Sequence, residues 1–418
     1  MTVSIFARFF KSTLLKNTVA LFFLQLVNYI TPLAILPILG RNLSVSEFGL
    51  VSITISIIQL SNIVTDYGFT YYATCEISTH RQNKNYIQEL ISTIFTSKLI
   101  LLLMVIISLL AIATLTNLKP YEGYFFAATI AIVAQTFQPI WFFQGVEKMK
   151  NITLYTVISK ILYVIFVYVL INNHGDGVKA IISFGVAQLV GMIISLYELR
   201  KEGFYCNFAP FSKGVKMLKS TQGFFWARLS AAAYSSANSI FIGALYGPVN
   251  SAYYAAAEQI YKVCIFAPVP VNQSLYPYMV RERNWKIFIG ILLAMSALMV
   301  AGSAFVFIFS DEILEGIFGH NYIVSVSLVK VLMVAVVLNY ISSNLGYPLF
   351  GALGKANIAN IPIVLCAFFY GVFIAVLYIL KIGDVIWVAW GVVVTEIIMI
   401  MLNMFFALKL VKGELCKN

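Results

Sequence analysis

Apolar runs of about 20 residues or more, one after another along the whole chain, constrain this sequence more than any motif in it. They fall at roughly 17–40, 46–72, 89–116, 122–143, 152–172, 178–199, 221–245, 252–279, 286–310, 322–350, 357–381 and 385–410, bounded by charges or by Gly, Pro and Asn clusters. A helix of that length satisfies its backbone internally and crosses the roughly 30 Å hydrocarbon layer of a bilayer. Of the 418 residues, 61% are hydrophobic and 11% charged, whereas soluble domains average about 45–50% and about 25%. The bilayer is therefore the solvent for most of the chain. The expectation is an all-α integral membrane protein of about 12 transmembrane helices.

The net charge of +11 would suggest nucleic acid in a soluble protein, but the cations sit in loops between apolar spans, so no nucleic-acid partner is expected. One set of connections holds His80, Arg81 and Lys84, then Glu147, Lys148 and Lys150, then the stretch from Arg200 to Lys219, then Arg281, Arg283 and Lys286, then Lys355. With both termini this set carries about 19 Lys and Arg, against about four (Arg41, Lys119, Lys179, Lys381) on the opposite side. That bias predicts cytoplasmic termini. The run after Arg8, Lys11 and Lys16 is too long for a signal-peptide core and ends in no small-residue cleavage site, so it reads as a retained first helix. The five cysteines form no C-x-x-C pair, and neither a disulfide framework, a metal site nor a cofactor is expected.

The basic stretch at about 200–220 divides the spans into six plus six, predicting bundles over 1–205 and 206–418. The segment Leu39 to Gly49 echoes Ile242 to Ala252, each a tight turn leading straight into a helix. Ser44-x-x-Glu47 predicts a capping box at the first of them.

Ionisable groups inside spans cost at least about 2.5–3.5 kcal/mol each at the helix centre, so each one calls for a reason. Lys98 and Arg228 lie roughly 10 Å from the inner ends of their apolar runs, within reach of snorkelling, and Lys330 is similarly placed from the other side. Lys160, Lys262 and Glu396 are near the midplane. Polar stripes at helical spacing appear as Ser52, Ser56, Gln59, Asn62 and Asp66; as Gln25, Asn28 and Pro32; as Arg228, Ser235 and Ser239; and as Tyr254, Glu258 and Lys262. Such stripes face one another or water. Glu258 and Lys262 stand in the favourable acid-first i,i+4 order. Asp311, Glu312 and Glu315 read as a solvated turn. No nucleophile elbow, phosphate loop or metalloprotease motif is present, so no catalytic residue is expected. A cavity with more cations than anions and many Tyr, Asn, Gln and Ser groups suits a lipid-linked anionic glycan.

Several segments resemble the O-antigen and polysaccharide flippases, the Wzx-like family of the multidrug/oligosaccharidyl-lipid/polysaccharide (MOP) transporter superfamily. They are Asn28-Tyr29-Ile30-Thr31-Pro32 with Leu36-Pro37 and the turn from Arg41 to Gly49; Asp66-Tyr67-Gly68-Phe69; Gln273-Ser274-Leu275-Tyr276-Pro277; and, most specifically, the run from Pro139 to Met149. Ser97-Lys98 and Ser159-Lys160 fall where such proteins often carry a basic residue. The sequence departs from the common pattern at Ser44-Val45, where a Gly-Pro pair is usual.

The resemblance implies two six-helix bundles around a central cationic cavity that opens alternately to each side of a bacterial inner membrane. The substrate it implies is an undecaprenyl-pyrophosphate-linked oligosaccharide, with membrane lipid and other polysaccharide-assembly membrane proteins as further partners. On this reading Lys98, Lys160, Arg228, Lys262 and Lys330 are the substrate-binding candidates. Asp66, Glu258 and Glu396 are the candidates for coupling to a proton or sodium ion. The alternatives are a multidrug or cation exporter of the same superfamily, expected to have an acidic cavity, and a membrane glycosyltransferase or O-antigen polymerase, expected to have a large outer loop.

Overall fold

The computed structural model describes residues 13–115, 121–235 and 237–412; the side chains of 13–22, 115, 224, 226–228, 230–235, 277, 356 and 357 are outside the description. Among the described residues the structure is all-helical and has ten helices, some broken once, that are long and apolar enough to cross a membrane. In chain order the first half contains α1 (Thr13–Asn42), α2 (Val45–Asp66), α3 (Phe69–Thr79), α4 (Lys84–Leu115), α5 (Glu122–Thr136), α6 (Ile140–Gly145), α7 (Met149–Leu170) and α8 (Gly177–Lys201). The second half contains α9 (Phe211–Ser235), α10 (Asn238–Tyr246), α11 (Pro248–Phe266), α12 (Val269–Glu282), α13 (Trp285–Ile308), α14 (Ser310–Phe318), α15 (Val326–Asn344), α16 (Tyr347–Ala352), α17 (Asn360–Ile379) and α18 (Ile386–Val411).

Two of the twelve expected segments, 221–245 and 252–279, are not among the ten. The first runs through α9 and α10, where residue 236 and several side chains lie outside the description. In the second, Pro268 and Pro270 at the α11–α12 junction remove backbone donors that a continuous helix would need. The order of elements repeats nonetheless. The second segment of each half is broken once, at Tyr67-Gly68 and at Ala267-Pro268, and so is the fourth, at Phe137 to Pro139 and at Leu345-Gly346. At the first break Tyr67 and Gly68 both take positive φ, 47° and 83°, which ends one helix and starts the next within two residues.

The chain divides into two compact units, Met1–Glu47 with Thr54–Leu229, and Phe48–Ile53 with Ser230–Asn418. This division falls later than 205/206 because the connection is bound to α4: Gln88 donates to Tyr205 O and accepts from Tyr205 N, both at 2.9 Å, and Thr96 Oγ1 accepts from Ala209 N at 2.8 Å.

In the first unit α5 and α8 form the most extensive helix pair. Small residues allow it. Ala127, Ala128, Ala131 and Ala134 of α5 are fully buried, and a Cβ at Gly185 of α8 would meet Ile130 Cγ2 at 3.0 Å. An aromatic cluster closes one end, where Phe142 and Phe143 pack edge-on at 5.2 Å and Phe142 meets Phe204 at 5.1 Å. The Pro139–Met149 run therefore serves mainly as core. Its Gly145 is required by contact, since a Cβ there would stand 2.7 Å from Ile77 Cβ.

The capping box forms by half. Ser44 Oγ accepts from Glu47 N at 3.3 Å, but Glu47 turns away and accepts from Tyr124 Oη and from Gly177 N. The turn after α1 is tied to the one after α7, with Ser44 N donating to His174 O at 3.0 Å and Asn42 Nδ2 to Ile171 O at 2.8 Å. In that second turn the Lys179 ammonium hydrogen-bonds Asp176 at 2.7 Å and, with the Asn172 and Asn173 amides, holds its carboxyl down at about 2.

In the second unit Phe48 packs edge-on against Phe318 and Tyr322. Gly247 at φ 84° precedes Pro248, the first residue of α11, so the tight Gly-Pro turn absent at Ser44-Val45 stands at the echo segment. Asp311, Glu312 and Glu315 lie on α14, a two-turn helix and not a turn. Asp311 and Glu312 occupy its first turn, where the helix dipole favours anions.

Candidate functional site

The first unit contains a cavity of about 320 Å³ between its helices. Each wall follows from helical spacing. Asn62 and Asp66 are one turn apart at the end of α2, and Thr70 follows just past the Tyr67-Gly68 break. Asn28 comes from α1, and Ile152 and Thr156 from one face of α7. The broken α5–α6 segment supplies Gln135, Gln138, Trp141 and Gln144, and α8 supplies Gln188. Unwinding at Phe137 to Pro139 lets amides on both sides of the break reach one space.

Asp66 and Lys98 are the two charged residues among the described lining. Lys98 is 3% exposed. Its Nζ donates to Thr136 O at 3.0 Å and lies 3.7 Å from Asp66 Oδ1, which also accepts from Thr70 Oγ1 at 2.8 Å. Lys98 thus turns inward, and snorkelling does not describe it. Because α4 begins at Lys84, the residue sits roughly 20 Å along its helix, deeper than its apolar run implied. Gln138 Nε2 donates to Gln188 Oε1 at 3.1 Å. By contrast, the side-chain amides of Asn28, Asn62 and Gln135 hydrogen-bond to no group among the described residues. Trp141, 1% exposed, has an indole N–H with no partner among the described residues.

Lys160 lies one turn beyond Thr156 on the same face of α7, partly buried, and its ammonium has no polar partner among the described residues. The side chain of Arg228 is outside the described residues.

The remaining candidates belong to the second unit. Lys262 Nζ donates to Glu258 Oε2 at 2.8 Å, so the i,i+4 pair forms within α11 as its spacing predicts. One turn before it, Tyr254 and Tyr370 meet at Asn238, whose Nδ2 donates to Tyr254 Oη at 2.9 Å and whose Oδ1 accepts from Tyr370 Oη at 2.6 Å. Glu396 is buried and accepts from Asn339 Nδ2 at 2.8 Å and from Ser342 Oγ. Lys330 lies over the Phe307 ring at 5.4 Å, a cation–π contact that accounts for its charge locally.

The structure thus joins Asp66 to Lys98 and Glu258 to Lys262, and leaves Glu396 with neutral donors. Sequence reasoning passed over Gln135, Gln138 and Gln188. Their signal was the cost of placing an amide in an otherwise apolar span, but no stripe at helical period marked them, because the α5–α6 break interrupts that period.

Residues 14–282 match the family described as polysaccharide biosynthesis protein. A protein of Shigella dysenteriae provisionally named an O-antigen transporter is 26% identical over 276 residues, 65% of this chain and 68% of that protein. One of Escherichia coli with the same provisional name is 27% identical over 64% of this chain and 65% of that protein. Among solved structures, the lipid II flippase MurJ in an inward closed conformation superposes with a TM-score of 0.73 at 13% identity, over 96% of this chain and 91% of that chain. An inward-facing multidrug resistance MATE family transporter of the MOP superfamily gives 0.66 at 16% identity, over 92% and 99%. At those identities the likeness establishes the fold: a multi-pass helical membrane protein of the MOP type.

Proposed function

We propose, since this chain belongs to the polysaccharide biosynthesis protein family, that it flips undecaprenyl-pyrophosphate-linked O-antigen or polysaccharide repeat units from the cytoplasmic to the periplasmic leaflet of a bacterial inner membrane by alternating access. The observation that carries the reading is polar recognition surface at membrane depth: an amide-rich cavity in the first unit, with Lys160 next to its lining on α7. A buried ammonium is expensive unless something anionic meets it. A pyrophosphate supplies that charge while the polyprenyl tail stays in lipid, and no covalent step is needed. On this reading Lys160 and Lys262 contact the phosphates, and both termini are cytoplasmic as the cation bias predicts.

The relatives named O-antigen transporters support this reading over a polymerase. The exporter alternative calls for an acidic cavity, whereas the cavity of the first unit pairs its carboxylate with Lys98. The test is deletion of the gene followed by analysis of surface polysaccharide and lipid-linked intermediate. Loss of the polysaccharide with accumulation of the intermediate is expected, restored by the wild-type gene and poorly by Lys160→Gln at equal protein level. Intact surface polysaccharide in the deletion strain overturns the reading.

A further inference from the structure

We infer that the cavity of the first unit is a sugar subsite: it takes an uncharged pyranose ring of the glycan head group, and the phosphates bind elsewhere. The inference rests on the transport reading for the origin of its ligand, but its chemistry stands on the lining.

The charge balance excludes the phosphates. Lys98 is the one cation among the described lining residues; it faces Asp66 at 3.7 Å and spends a donor on Thr136 O. A pyrophosphate entering here would meet the Asp66 carboxylate with no cation in excess among the described lining residues, whereas Lys160, one turn beyond the lining on α7, stands outside them. A free monovalent cation fits no better, because the Lys98 ammonium already occupies the carboxylate's neighbourhood.

What remains unspent suits hydroxyls. Asn28, Asn62 and Gln135 each present an amide donor and an acceptor with no protein partner among the described residues, and they come from α1, α2 and α5. A side-chain amide offers two N–H donors and a carbonyl oxygen, the complement of adjacent sugar hydroxyls that donate and accept together. A site built of such groups discriminates between ligands, since one lacking the hydroxyl leaves these half-buried amides unpaired. Trp141, which also lines the cavity, adds an indole N–H that has no partner among the described residues. Size agrees: 320 Å³ holds roughly ten waters at about 30 Å³ each, the space of one or two sugar rings. The Asp66–Lys98 pair then acts as positioning: it fixes Thr70 and the Tyr67-Gly68 break, and so the direction in which Asn62 points.

The test uses the purified full chain in lipid nanodiscs and saturation-transfer NMR with methyl glycosides of glucose, galactose, mannose and N-acetylglucosamine, with inorganic pyrophosphate as competitor. At least one glycoside should receive saturation from the wild-type protein, unchanged by pyrophosphate and reduced fivefold or more in Asn62→Ala and Gln135→Ala. No signal from any glycoside, displacement by pyrophosphate, or undiminished signal in both folded variants overturns the inference. The wild-type measurements decide the matter even where a variant fails to fold. Glycoside binding in a protein whose gene deletion leaves surface polysaccharide intact supports the subsite and overturns only the transport reading.

Discussion

The two units each bury a carboxylate and satisfy it differently. In the first, Asp66 stands near the ammonium of Lys98, which arrives from another helix and is itself buried. In the second, Glu396 accepts from the neutral groups of Asn339 and Ser342. A charge pair cancels charge but couples its two members, because removing either one leaves the other's charge uncompensated by this contact. Neutral donors leave the charge in place but can be lost one at a time at smaller cost. The first arrangement is therefore brittle and directional, the second tolerant.

Removing the Lys98 ammonium while keeping the chain shape should break that contrast most severely. Lys98→Met is expected to cost about 3–5 kcal/mol, the penalty of breaking a buried pair by removing one partner, and the double variant with Asp66→Asn should recover most of it. Thermal unfolding of the purified protein measures this; a single variant as stable as wild type would show that Asp66 does not depend on Lys98. At Glu396 the smaller effect is expected to grade with the donors left unpaired. Glu396→Leu strands Asn339 and Ser342 and should cost about 1–3 kcal/mol for each, whereas Glu396→Gln keeps an acceptor and should cost distinctly less. Identical melting of the two would refute the tolerant description.

Glu258 and Lys262 provide an intermediate case, a pair on one helix with Lys262 partly open. Glu258→Gln should cost about 1 kcal/mol or less in stability, since solvent competes for the ammonium. A larger loss of transport than of folded protein would give this pair a working role beyond bracing α11; abundance and transport falling in proportion would leave it a brace. The smallest effect concerns Asp176, outside the spans. Its carboxyl is held at about 2, below the value of about 3.9 for an unfolded chain. Its contribution is therefore complete above about pH 4 and is lost as pH falls toward 2. The melting difference between wild type and Asp176→Asn should shrink over that window, and a constant difference would show that the Lys179 and backbone contacts do not set its protonation.

How much of this was readable beforehand depends on how local each feature is. The spans were legible because the bilayer imposes a length and a polarity that any stretch of chain either meets or fails; at α11–α12, outside the ten, the prolines and the Glu258–Lys262 pair weaken that signal. The Glu258–Lys262 pair was legible because its members are one helical turn apart and need no other element to meet. Ser44 as a cap was legible for the same reason, while the destination of Glu47 was not, because Tyr124 and Gly177 reach it from other helices.

The sequence by itself thus determined the solvent, the rough ends of ten membrane segments, and the pairings contained within one turn. Only the tertiary structure decided that Lys98 turns inward to Asp66 rather than out to the interface, that Glu396 is met by neutral groups, and that Asn28, Asn62 and Gln135 open into one space beside Trp141. Those outcomes depend on how each helix is rotated about its axis and where α2–α3 and α5–α6 break. Rotation and breaks are set by packing between helices, through small residues such as Ala127, Ala131 and Gly185 and the Tyr67-Gly68 break, and periodicity along a single helix carries no record of its partner.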